Sequence, residues 1–154
     1  MRKFFKENWS YIVIIILVLF IRSTKLIGIN IVSGESMMST LHDGQVVLGS
    51  SLKELKRGDI IVAKTDKLVV KRIIGLPGET VSYHDGALYI NGVKLEEEYI
   101  EPGRDVNSQN QVWEYKCGDN EYLILGDNRD NSYDGRYYGP LSEDDIVEKV
   151  YIQF

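Results

Sequence analysis

The sequence is poor in the residues that tie small proteins together through covalent links or metals. It has one cysteine, Cys117, among 154 residues, so no internal disulfide can form and the fold cannot depend on one. Its two histidines, His42 and His84, lie far apart, and no Cys/His cluster has metal-ligand spacing. No metal, nucleotide or other cofactor is implied. A basic body is lacking too. The net charge is −5, yet Arg2, Lys3, Lys6, Arg22 and Lys25 against Glu7 give the first 25 residues +4, leaving −9 for the remainder. An acidic body argues against nucleic-acid binding, which wants a basic face. Neither repeat nor linker is visible, and the length suits one domain with a real core. The long apolar run is itself short. Trp9 to Ile21 is 13 residues, where a membrane span needs about 20.

That run still reads best as a retained anchor over residues 1–29. The helix would continue through Arg22 to about Ile29. Arg22 and Lys25 would snorkel outward, with Trp9 and Tyr11 at the opposite interface. Arg2, Lys3 and Lys6 put the N-terminus in the cytoplasm and residues 30–154 outside it. A cleavable signal peptide is the rival. Against it, the stretch Ile21-Arg22-Ser23-Thr24-Lys25-Leu26 offers no small-x-small site. A buried core helix is a third option, but no face of the run is polar.

The body reads as one mostly β, antiparallel, strand-rich domain. Tyrosine is abundant at 10, and 14 glycines often stand beside Asp or Asn, which favours strands and tight turns. Strands are expected over residues 45–48, 59–64, 68–74, 80–84, 87–90, 93–95, 111–117, 121–125 and 146–154. Asp85-Gly86 and Asn91-Gly92 are strong hairpin signals. Glu96-Glu97-Glu98 reads as a solvated face or strand end. Residues 101–111 read as a loop. Ser142 should cap a short turn.

Chemistry is suggested by a serine and a lysine. Ser36 sits just past the apolar run, in Val32-Ser33-Gly34-Glu35-Ser36-Met37-Met38-Ser39-Thr40-Leu41. A serine hydroxyl needs a base to become a nucleophile. His42 and His84 both adjoin Asp-Gly or lie in such a turn, so they read as surface residues, although a Ser/His/Asp triad stays open. Lys71 shares a strand face with Val69 and Ile73. If that face is buried, desolvation disfavours the ammonium. Bringing a lysine from ~10.4 to ~7.5 costs roughly 4 kcal/mol. From the strand alone an exposed lysine is the simpler reading; the combination with Ser36 favours the buried one. In Gly126-Asp127-Asn128-Arg129-Asp130-Asn131-Ser132-Tyr133-Asp134-Gly135-Arg136, Asp127, Asp130 and Asp134 could bind calcium. However, the register is not that of an EF-hand, and two arginines intrude.

In this order, Ser36-Met37 with Thr40-Leu41, Lys71-Arg72 with Gly75-Leu76-Pro77-Gly78, and Gly126 to Arg136 closely resemble the sequence boxes of the type I signal peptidases. Arg57-Gly58-Asp59 is similar to another family feature, though an ordinary turn explains it equally well. The resemblance covers nearly the whole chain. It implies a membrane-bound serine endopeptidase with Ser36 as nucleophile and Lys71 as general base. Ser132 would hydrogen-bond and orient Lys71, while Asp134 and Arg136 would pair to hold their loop. The implied partners are exported preproteins, cleaved after small residues of the Ala-x-Ala type, and membrane lipid. Three positions depart from the family pattern: Ser39 replaces a proline, Gln45 an aspartate, and Gly135 a serine. Gly34 stands where many relatives place an oxyanion-donating serine, which leaves the Ser36 backbone N–H as the named donor. Self-cleaving repressor peptidases also use Ser/Lys, but carry a DNA-binding domain and no anchor. A peptidase-like pilus or assembly factor that binds without cutting would be expected to lose the serine or the lysine.

Overall fold

A computed structural model describes residues 8–23, 26–52, 54–100 and 112–154. The side chains of Arg2, Lys3, Lys6, Arg22 and Lys25, and the expected loop 101–111, lie outside that description. Helix α1 spans Trp9–Ser23, 15 residues. At 1.5 Å per residue it is roughly 22 Å long, against about 30 Å of bilayer hydrocarbon. Among the described residues, no helix is long and apolar enough to cross a membrane. The expected continuation of the helix to Ile29 does not occur. Ile27–Ile31 is instead strand β1, paired antiparallel with β2, Val46–Ser50. Here β-branched residues alternate with Gly28 and Asn30, a pattern poor for a helix and good for a strand. The expected junction between residues 29 and 30 therefore falls inside β1.

The remaining strands are β3 (Ile60–Lys64), β4 (Leu68–Gly75), β5 (Thr80–His84), β6 (Ala87–Ile90), β7 (Val93–Lys94), β8 (Trp113–Lys116), β9 (Glu121–Leu125), β10 (Leu141–Ser142) and β11 (Ile146–Gln153). They form a seven-stranded sheet in the order β1-β2-β11-β3-β4-β9-β10 and a four-stranded sheet in the order β7-β6-β5-β8. Every described pairing is antiparallel. Both short hairpins turn through left-handed residue pairs, Asp85-Gly86 and Asn91-Gly92, which match the strand twist. Ser142 caps a single 3₁₀ turn, Glu143–Asp145, by accepting from the Asp144 amide.

Two short elements escape the sequence pattern: helix α2, Gly135–Tyr138, and strand β10. Four residues and two residues are too few for a period to show. Three apolar clusters fill the interior. One joins the small sheet to the larger one through Ile74, Val81, Leu88, Leu123 and Leu125. A second gathers Ile61, Ile73, Ile124 and Ile146 within the large sheet. The third, Val32, Met37, Leu41 and Val47, lies directly beneath Ser36 in the chain and carries its turn.

Candidate active site

Ser36 opens the turn that follows β1. Met37 and Leu41 are fully buried and anchor that turn to the core. The amides of Thr40 and Leu41 both donate to the Met37 carbonyl, at 2.8 and 2.9 Å. These bonds close the turn in which Ser39 replaces the usual proline. Gly34 has φ +87 and donates its amide to Asp43 at 2.7 Å. A side chain there would be strained by the left-handed backbone.

Lys71 lies in the middle of β4 and is 3 % exposed. Its neighbours on the strand face, Val69 and Ile73, pack into the same apolar cluster. The amine lies 2.6 Å from Ser36 Oγ and donates to the Val70 carbonyl at 3.0 Å. Burial pulls its pKa down to about 8. Asp134 and Asp127 oppose that shift, while Lys67 and Arg136 add to it. A neutral amine at this distance can accept the proton of a serine hydroxyl. The two groups face a groove of about 980 Å³. Residues 30–37 form one wall and residues 65–71 the other, with Asn131 and Tyr133 joining from the loop after β9.

The loop 126–136 grips the serine from behind. The Asn128 amide donates to the Ser36 carbonyl at 3.0 Å, and its side chain donates to the Glu35 carbonyl at 3.0 Å. Gly126 permits the approach, because a Cβ there would stand 2.5 Å from the Ser36 carbonyl oxygen. Arg136 donates to both Asp134 oxygens, at 2.9 and 3.1 Å, and Asp134 also accepts the Gly126 amide at 2.9 Å. Ser132 departs from expectation. Its hydroxyl is buried without a hydrogen-bond partner and does not bond Lys71. The reason is local. The lysine amine is already turned to Ser36 and Val70, whereas Ser132 packs over Gly126.

Residues outside the expected set complete the surroundings. Arg72 points to the opposite side of β4 from Lys71 and clamps Asp127 at 2.8 and 2.6 Å. Thr40 donates to the same carboxylate at 2.5 Å, and Arg72 also donates to the Gly58 carbonyl at 2.7 Å. The Arg57-Gly58-Asp59 turn thus does more than open β3: Arg57 pairs with Glu79, while Gly58 holds Arg72. Glu97 corrects the reading of its acidic run. It turns inward to Arg129 at 2.5 and 3.1 Å, with both side chains nearly enclosed. A run of three like charges carries no sign of which one faces in; only the partner 32 residues away decides it.

Asp127 and Asp134, possible calcium ligands from sequence, are each engaged by an arginine. Among the described residues no cluster of three or more His, Cys, Asp or Glu side chains is placed to hold a metal ion. His42 is exposed in its turn, and His84 pairs with Asp85 and stacks on Tyr89 at 4.0 Å. Among the described residues, no hydrogen bond joins either imidazole to Ser36.

The chain is similar to known proteins. The family model described as signal peptidase, peptidase S26, matches residues 5–154. Signal peptidase I T of Bacillus subtilis (strain 168) is 40 % identical over 131 residues, covering 76 % of this chain and 68 % of its own. Signal peptidase IB of Staphylococcus aureus (strain N315) is 33 % identical over 178 residues, covering 100 % of this chain and 91 % of its own. The crystal structure of a signal peptidase I from Enterococcus faecalis V583 superposes with a TM-score of 0.58 at 36 % identity. The match covers 66 % of this chain and 100 % of that one. A mostly antiparallel β fold of this kind, with these relatives, defines a serine endopeptidase. The chain belongs to the signal peptidase family, peptidase S26, as a type I signal peptidase.

Proposed function

We propose that Ser36 and Lys71 form a Ser/Lys dyad that removes signal peptides from exported preproteins. The observation that carries this reading is the 2.6 Å contact between a serine hydroxyl and a buried amine, on the wall of an open groove. Lys71 takes the Ser36 proton as the oxygen attacks the scissile carbonyl. The carbonyl π electrons move to oxygen, where the Ser36 backbone N–H can meet the developing charge. Collapse expels the amine of the mature protein, which receives the proton from Lys71, and leaves an acyl-enzyme. Lys71 then deprotonates a water that releases the signal peptide. Asp134 and Arg136 hold the loop that grips Ser36. Ser132 contributes packing over Gly126.

The substrate binds extended along the groove, with small pockets accepting alternate side chains. Cleavage follows small residues of the Ala-x-Ala type. A labelled preprotein incubated with the full chain in detergent should give one product, cut after that motif. Replacing either alanine with a bulky residue should abolish the cut. Equal cleavage of the bulky substrate would end this specificity.

The residues ahead of β1 anchor the protein once in the cytoplasmic membrane, N-terminus inside, with the body from β1 onward on the other side. Support comes from the basic side chains before the apolar run and from the exposed apolar surface of α1. Protease added to intact spheroplasts should digest the body. Protection there, with digestion only after lysis, would reverse the orientation.

A further inference from the structure

We propose that Glu97 and Tyr99 are positioning residues for the reaction, strapping the strand that carries Lys71 to the loop that holds Ser36. The inference rests on reading Ser36 and Lys71 as the dyad. Glu97 and Tyr99 come from a segment that lies outside every box named above.

The strap can be traced atom by atom. Arg72, the neighbour of Lys71 on β4, lies under the Tyr99 ring, 4.0 Å from its centroid. The Tyr99 hydroxyl donates to Glu97 Oε1 at 2.5 Å. Glu97 receives two bonds from Arg129. Arg129 donates through Nε to the Gly126 carbonyl at 3.0 Å. Between Gly126 and Arg129 stands Asn128, which holds the Ser36 and Glu35 carbonyls. A continuous path of contacts therefore runs from the base's neighbour to the loop behind the nucleophile. Arg129 and Glu97 are only 4 % and 11 % exposed, so salt and water weaken their pair little. Burial, with Glu97 beside it, pushes the Tyr99 phenol well above its ordinary range, so it remains a donor.

Such a strap matters because dyad geometry is intolerant. A catalytic group must be held to within about 0.5 Å of its productive place, and a 1 Å displacement can cost roughly a hundredfold in rate. The same loop places Asn131 and Tyr133 on the groove that Lys71 lines. The charges that weigh most on Lys71 are those of Asp134, Lys67, Asp127 and Arg136. Losing Glu97 would loosen the loop and admit water beside the lysine. Less desolvation means a higher pKa.

The test uses the full chain in detergent with a soluble Ala-x-Ala peptide. Glu97→Gln should lower kcat by roughly 10- to 100-fold and Tyr99→Phe by about 3- to 10-fold, with KM within about twofold. In both, the acid limb of kcat/KM should move to higher pH. The double variant should be no worse than Glu97→Gln, because the two act in one path. Glu96→Gln, whose carboxylate is exposed and pairs loosely with Lys94, should match wild type. Removing one partner of a buried pair destabilises strongly. If Glu97→Gln does not fold, Tyr99→Phe decides, since it keeps the ring over Arg72. Both variants within twofold of wild type, a rise in KM alone, or a fall in kcat with the acid limb unmoved would each overturn the strap. An active Ser36→Ala enzyme would remove the dyad reading instead, which is a separate result.

Discussion

Lys71→Arg is expected to lose activity as completely as Lys71→Ala, by at least about a thousandfold in kcat/KM. Arginine keeps the positive charge and much of the length, but it cannot give up its proton near neutral pH. If Lys71 served only as a cation beside Ser36, arginine would rescue it. If it serves as the base, nothing short of a neutral amine will do. Ser36→Ala should fail equally, and the Ser36→Ala/Lys71→Ala pair should be no worse than either. The wild-type enzyme should gain kcat/KM as pH rises through about 8, because the protonated amine cannot accept the serine proton. Lys67 helps to depress that pKa, so Lys67→Ala should move the limb upward in pH. Lys94→Ala, an exposed residue remote from the groove lining, should leave the profile unchanged. Cleavage by Lys71→Arg at near wild-type rate would sink the Ser/Lys mechanism.

Asp127→Ala should be the most destabilising of the polar substitutions, by about 3–5 kcal/mol. Its carboxylate is 1 % exposed and receives two bonds from Arg72 and one from Thr40. Removing it leaves a guanidinium buried beside the dyad strand without its counter-charge. For a chain of this length the loss corresponds to a fall in Tm of roughly 10 °C. Replacing Arg72 and Asp127 together with apolar residues should cost less than the two single changes added, since no orphaned charge remains. Asp144→Asn, at a capped surface turn, should shift stability by no more than about 0.5 kcal/mol. Denaturant unfolding in detergent measures all of these. Asp127→Ala within 1 kcal/mol of wild type would show that the buried pair is not what holds this corner.

Local pattern carried most of the strands. β5, β6 and β9 begin and end where alternation and the Asp-Gly and Asn-Gly turns put them. Ser36 and Lys71 could be named because each stands in a recognisable box. What could not be read is whatever depends on distant pairing. Arg72 meets Asp127 across 55 positions and Arg129 meets Glu97 across 32, and no period or composition links such pairs. The end of α1 escaped for a related reason. Ile27, Ile29 and Ile31 continue the apolar character of the run, but their alternation with Gly28 and Asn30 and their pairing with β2 make a strand. Ser132 was assigned a bond to Lys71 by resemblance; its hydroxyl instead faces neighbours that offer it no partner.

The position of β11 bears on when this peptidase can first cut. Ser36 follows β1, whose pairing is with β2, and Lys71 sits on β4, whose pairings are with β3 and β9. In the sheet, β11 is the strand that joins β2 to β3. The hydroxyl and the amine are therefore carried by two half-sheets, β1-β2 and β3-β4-β9-β10, and the seam between them is residues 146–153. Until that stretch is in place, the halves lack their common strand. Docking of this last strand is therefore what brings the serine and the lysine into one sheet.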